Sequence, residues 1–147
     1  MTVLYGLLRR TEDVNYISVH PADMAEELQT IAGPGSKLAK RYRVHLDFVT
    51  ISEPPEDYEG RLTEMFPGRF SNLRLFALEI HDLVLTKLTR NAPLDREDVK
   101  VLAKGGHLDP NVLRERYQHE IRPRLAAPDR HDLTLKLWID DYLAISK

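Results

Sequence analysis

RRTEDVNYI, residues 9–17, is the stretch on which the reading of this chain turns. A polar turn there runs into a short alternating segment and carries Asp13 and Asn15 onto an apolar strand. Its partner is LDFVT, residues 46–50, with Asp47 in the middle of an apolar run. Carboxylates at strand positions where Val or Ile is the usual occupant point to a site rather than to packing.

Working outward, residues 12–19 read as a strand with Asp13, Asn15 and Ile17 on one side and Val14, Tyr16 and Ser18 on the other. Pro21 opens a helix over 22–32, with Met24, Leu28, Ile31 and Ala32 at helical spacing, and Gly33, Pro34 and Gly35 stop it. Ser36 caps a short continuation, LAKRY. The run YRVHLDFVTI, 42–51, is the clearest strand; Arg43, His45, Asp47 and Val49 share one face, and Val44, Leu46 and Phe48 form a face that reads as core. A helix carrying Tyr58, Leu62, Met65 and Phe66 is expected next, then a third strand over 72–78.

From residue 79 the pattern is helical in four pieces. These are 79–90 with Lys87 on the apolar stripe, a helix from Asp95 to Gly105, one from Asp109 and Pro110 to Pro123, and an amphipathic helix from Asp129 with Leu135, Trp138, Ile139, Tyr142 and Leu143. The fold class is therefore α/β (α+β), a small mixed sheet of about three strands backed by helices and followed by a C-terminal helical half. One domain over 1–147 is expected, with a sheet-containing part (1–78) and a helical part (79–147). So thin a sheet suggests pairing with another chain or a missing N-terminal element.

At 147 residues, with 42% hydrophobic and 30% charged residues of both signs, the composition is that of an ordinary globular protein. No apolar run approaches a membrane span and no secretory segment is visible, so a cytoplasmic location is expected. The absence of cysteine excludes disulfides and thiolate chemistry. A net charge of −2 gives no global pull towards nucleic acid or anionic membrane.

Three constellations carry candidate chemistry. Asp13, Asn15 and Asp47, converging from neighbouring strands, suit one or two Mg²⁺ ions bound with substrate phosphates. The plain alternative is a turn aspartate and an aspartate on a solvated sheet face. Lys87, on an apolar helical stripe, must either snorkel to the edge or reach a buried phosphate or carboxylate. Asp95 and Asp98 have capping-box spacing at a helix start, and Arg90 and Arg96 flank that turn, free to meet phosphates or to pair with these aspartates. The six histidines lack zinc spacing, and no GxSxG, Walker or dinucleotide glycine pattern is present.

Taken together, RRTEDVNYI, LDFVT and HDLVLTKLTRNAPLDREDV resemble the minimal nucleotidyltransferases of the polymerase-beta-like superfamily. More narrowly, they resemble an uncharacterised bacterial nucleotidyltransferase-like group related to abortive-infection toxins, over about residues 5–125. The resemblance implies that Asp13 and Asp47 are metal carboxylates, with Asn15 where the family has a second one, and that Arg10 and Thr11 contact the nucleotide. It implies further that Lys87 lies near the nucleotide and that Arg90, Asp95 and Asp98 belong to the same nucleotide-handling region. The family's glycine turn, whose amides would hold a triphosphate, is expected just before residue 1, so the form in hand reads as a truncated nucleotidyltransferase-like fold with impaired catalysis.

The expected activity is Mg²⁺- or Mn²⁺-dependent transfer of a nucleotidyl group from an NTP to an unknown acceptor, with nucleic acid entering only as an acceptor and no membrane partner. The alternative is a non-catalytic member acting through protein–protein binding, as a homo-oligomer or with a partner protein, such as a toxin–antitoxin component.

Overall fold

A computed structural model describes residues 12–49 and 53–143. These fall into two compact units, one within residues 8–51 and one within 52–147.

The first unit is built on a parallel pair of strands, β1 (Asp13–Tyr16) and β2 (His45–Phe48), joined by helices α1 (Met24–Ala32) and α2 (Lys37–Tyr42). Parallel neighbours need such a crossover, because a tight turn cannot reverse the chain twice. Asp13 pairs with His45, Val14 with Leu46, Asn15 with Asp47 and Tyr16 with Phe48. Since side chains alternate along a strand, this register puts Asp13, Asn15, His45 and Asp47 on one face. On the other, the Tyr16 and Phe48 rings lie 5.3 Å apart, and the Tyr16 hydroxyl meets Gln29 Nε2 of α1 at 2.6 Å.

Ser36 caps α2 as expected, accepting from the Ala39 amide at 3.0 Å. The helix runs on through Tyr42 and ends with Arg43 in the left-handed region, at φ 55°, so β2 begins three residues later than the sequence suggests. Two further expectations are corrected. The face of Val44, Leu46 and Phe48 is not core, since Val44 and Phe48 are exposed and Leu46 is half-buried. The apolar stripe of α1 is only partly covered, with Met24 and Ile31 exposed.

In the second unit, a 3₁₀ turn (Tyr58–Arg61) leads to β3 (Thr63–Met65), which pairs antiparallel with β4 (Leu75–Ala77). The helix expected over Tyr58–Phe66 does not form. Gly60 weakens a helix at its centre, and Phe66 and Gly68 take positive φ in a reversal around Pro67 that serves a hairpin instead. The third strand is therefore present, within the predicted 72–78, but it makes its own two-stranded sheet with β3. The fold class stands as mixed α/β, with small sheets and a helical C-terminal half.

Helices α3 (Ile80–Arg90), α4 (Pro93–Lys104), α5 (Pro110–Arg116) and α6 (Pro128–Trp138) follow, α5 and α6 each continuing into a π-helical turn, Tyr117–Ile121 and Ile139–Leu143. Helix α3 is the axis of this unit, because every residue from Ile80 to Leu88 is buried. Leu83, Leu85 and Leu88 are almost wholly enclosed, and Leu102, Leu113, Ile121, Leu135 and Trp138 join them in the core. Truncating one such leucine to alanine costs about 2–5 kcal/mol. A helix buried on all sides is usually apolar all round. This one carries His81, Asp82, Thr86 and Lys87, so each must find a partner inside the protein.

Candidate functional site

On the first unit's sheet, Asn15 Nδ2 donates to Asp13 Oδ2 at 3.1 Å, and Asn15 lies in register with Asp47 on the neighbouring strand. On this face Asn15 and Asp47 are exposed and Asp13 is half-buried. Among the described residues no group of three or more His, Asp or Glu side chains could hold a metal. The shared face offers the carboxylates of Asp13 and Asp47, the Asn15 amide and the half-buried His45 ring. Its two carboxylates and amide oxygen are hard donors of the kind Mg²⁺ takes, and Mg²⁺ needs few protein ligands when substrate phosphates complete its shell. Arg10 and Thr11 lie outside the described residues.

In the second unit, the structure brings Lys87, Arg90, Asp95 and Asp98 together. Lys87 Nζ donates to Asp98 Oδ2 at 2.8 Å and to Asp95 Oδ1 at 3.3 Å, and Lys87 is buried. Of the two readings of this lysine, the buried partner is therefore the one observed, and the partner is a pair of carboxylates. Arg90 donates to both oxygens of Asp95, Nε to Oδ2 at 2.8 Å and an Nη to Oδ1.

Asp95 does not begin α4, which starts at Pro93 because proline suits the first helical position. From the third position Asp95 instead reaches back to accept the Ala92 amide at 2.9 Å, so it still satisfies an orphan donor. Burial opposes ionisation of Asp95, but the hydrogen bonds from Arg90 and Ala92 and the charges of Lys87 and Arg90 outweigh it. Its carboxyl is held below the usual range. Arg96 points away, to Asn91 Oδ1 at 2.9 Å.

A second buried network lies on α3 among residues that the sequence reading did not single out. Asp82, with no exposed surface, receives Arg61 Nε on Oδ2 at 2.7 Å and Arg116 on Oδ1 at 2.8 Å. Each arginine holds a further carboxylate, Arg61 that of Glu120 and Arg116 that of Glu79. Glu79 also caps α3 by accepting the His81 amide and meets His81 Nδ1 at 2.7 Å. The Asp109 amide donates to His81 Nε2 at 2.8 Å. The ring thus joins the cap of α3 to the start of α5, with Nδ1 facing Glu79 and Nε2 facing the Asp109 amide.

For both Glu79 and Glu120 burial opposes ionisation and is outweighed, by His81 and Arg116 in one case and by Arg61 and the Asp57 amide in the other, so both carboxyls are held low. For Arg61, burial alone would favour losing the proton, but Asp82 and Glu120 push its pKa up. A recess of about 440 Å³ opens beside this network, walled by Arg61, Arg116, Glu115, His119 and Glu120. None of the residues singled out in the sequence lines it.

The signal for Asp82 was its place one residue before the apolar pair Leu83 and Val84, in a helix with no wholly polar face. Its partners Arg61 and Arg116 are 21 and 34 residues away and carried no local signal.

Among the described residues no helix is long and apolar enough to cross a membrane. No curated protein and no solved structure matched the chain. A family profile does match, over residues 2–140, and its description is nucleotidyltransferase of unknown function (DUF6036). With nearly the whole chain covered, and with the sequence landmarks of that superfamily in order along it, the chain belongs to this nucleotidyltransferase-like family.

Proposed function

We propose that this protein binds a nucleoside triphosphate with Mg²⁺ or Mn²⁺ through Asp13 and Asp47 and transfers its nucleotidyl group to a hydroxyl acceptor. The observation that carries the reading is the parallel register of β1 and β2, which sets Asp13, Asn15 and Asp47 on one face with Asn15 and Asp47 exposed. Family membership supplies the reaction class. A bound divalent ion would neutralise charge on the phosphates and favour in-line attack on phosphorus.

The chain's own residues do the rest. Asp13 and Asp47 offer anionic oxygens, and Asn15 contributes a neutral one, with its amide hydrogen already directed at Asp13. Asn15 in place of a third carboxylate lowers the negative charge available, which favours a site holding fewer metal ions or holding them more weakly. In the second unit, Lys87 is buried against Asp95 and Asp98. An ammonium has three donors, and Asp95 and Asp98 take two of them.

Calorimetric titration of ATP, GTP, CTP and UTP, with and without Mg²⁺ or Mn²⁺, tests this. Metal-dependent binding near ~1 μM, roughly −8 kcal/mol, is expected. Asp47→Ala is expected to abolish it, and equal binding by the variant would overturn the assignment.

One observation favours a second reading, a non-catalytic family member that acts by binding another protein, as in a toxin–antitoxin pair. The charges of Lys87 and Arg90 are matched within the fold by Asp95 and Asp98, which makes that cluster self-sufficient without a ligand. Absence of any metal-dependent NTP binding, together with a stable complex, is its expected signature.

A further inference from the structure

Helix α2 and its C-cap gather positive charge that the fold leaves unmatched. Lys37, Lys40, Arg41 and Arg43 fall close together in the chain, and all four are exposed. Among the described residues no carboxylate pairs with any of them, whereas Arg61, Arg90, Arg116 and Arg122 in the second unit each hold one. Lys37, Lys40 and Arg41 stand at i, i+3 and i+4 of a regular α-helix, so they share one stripe, and Arg43 follows at the C-cap. The chain as a whole carries a net charge of −2, so the patch is a local feature and not a reflection of overall composition.

Beside the stripe, Tyr42 is 61% exposed, and the Arg41 guanidinium lies over its ring at 5.3 Å. An aromatic ring and a guanidinium plane held out among unpaired cations suit an unstacked base and the phosphates that flank it. A lipid surface is served less well. The helix has six residues, a length of about 9 Å, and only Leu38 and Tyr42 on it are exposed apolar side chains. The patch also leads towards the candidate site. Arg43 precedes Asp47 by four residues, which keeps their Cα atoms within about 14 Å. It lies near the end of β2 at which His45 pairs with Asp13.

We infer that α2 is a docking surface for single-stranded RNA, with phosphates against Lys37, Lys40, Arg41 and Arg43 and a base on Tyr42. This binding is independent of the reaction proposed above. One consequence rests on that reading: a terminal ribose hydroxyl of the RNA is then the acceptor. Its oxygen joins the α-phosphorus of the NTP as the bond to pyrophosphate breaks, and its proton passes to solvent.

Fluorescence anisotropy of a labelled single-stranded RNA of about ten nucleotides, titrated with the full chain in the absence of NTP and divalent metal, tests this inference. Saturable binding is expected at low salt, and with about four phosphates contacted log K should fall against log[salt] with a slope of about −3. Lys37→Gln with Lys40→Gln and Arg41→Gln is expected to weaken binding at least about tenfold and to reduce that slope by about 2, with circular dichroism unchanged. Tyr42→Ala is expected to weaken it about tenfold, and Tyr42→Phe to leave it as in the wild type. Asp47→Ala is expected to keep RNA binding while losing metal-dependent NTP binding, so the two assignments fail separately. No RNA binding at low salt overturns the inference, and so does binding that the triple variant or Tyr42→Ala leaves unchanged. Binding to phosphatidylserine–phosphatidylcholine vesicles in preference to RNA, removed by the same substitutions, overturns it as well, because α2 would then face a membrane.

Discussion

Residues 12–49 leave their charges at the surface, whereas residues 53–143 take Asp82, Lys87, Asp95 and Asp98 into the interior. In the first unit, Asn15 and Asp47 stand exposed on two short strands, and even the apolar side chains Val14, Val44 and Phe48 are poorly covered. In the second, α3 takes Asp82 and Lys87 into a well-filled core, and each is matched by two partners from other elements. Buried ion pairs owe their stability to completeness: the desolvation cost is offset only while every partner is present. Exposed carboxylates carry no such debt. Charge changes in the two units should therefore part company, moving stability in one and ligand binding in the other.

The largest effect is expected at Asp82. Asp82→Ala leaves Arg61 and Arg116 facing an empty buried position and should lower urea-derived stability by about 3–5 kcal/mol. An effect below about 1 kcal/mol would break the contrast between the units. Lys87→Met should cost less, about 2 kcal/mol, because Asp95 keeps Arg90 and the Ala92 amide while Asp98 loses the lysine.

Acid should act on the second unit in the same sense. Asp95, Glu79 and Glu120 have folded-state pKa values below their usual ones, so the unfolded chain binds their protons more readily. The stability they contribute is complete above about pH 5 and is lost as pH falls through the folded values. Denaturant midpoints measured from pH 7 down to pH 3 should fall, and Asp95→Asn should flatten part of that fall.

The smallest stability change is expected at the sheet face. Asp47→Ala should move the unfolding free energy by no more than about 0.5 kcal/mol while removing metal-dependent nucleotide binding. Asn15→Asp sharpens the test, since it returns a third carboxylate to the face and should tighten Mn²⁺-dependent binding in calorimetry. Unchanged affinity would show that Asn15 stands apart from the ligand.

Much of this was legible in the sequence because it is local. Alternation in EDVNY and VHLDF fixes which side chains share a face, and Ser36, Asp109, Gly33 and Gly105 mark the helix ends they were expected to mark. The Tyr58–Phe66 segment misled, because its apolar spacing fits a helix while Gly60 and the Phe66–Gly68 reversal favour a hairpin. The strand Leu75–Ala77 could be found from composition, but its partner could not, since pairing depends on which edge the preceding turn presents. The carboxylate partners of Lys87 lay within eleven residues and were in view as separate motifs. The Asp82 network was not, because its arginines come from the 3₁₀ turn and from α5, and no local periodicity joins them.

The central claim is that the exposed face of β1 and β2 is the ligand site, and paramagnetic broadening by Mn²⁺ tests it most directly. With a non-hydrolysable NTP analogue present, substoichiometric Mn²⁺ should broaden the amide resonances of residues 13–16 and 45–48 before any others, and Asp47→Ala should remove the effect. Broadening that begins elsewhere, or that persists unchanged in Asp47→Ala, would contradict the account.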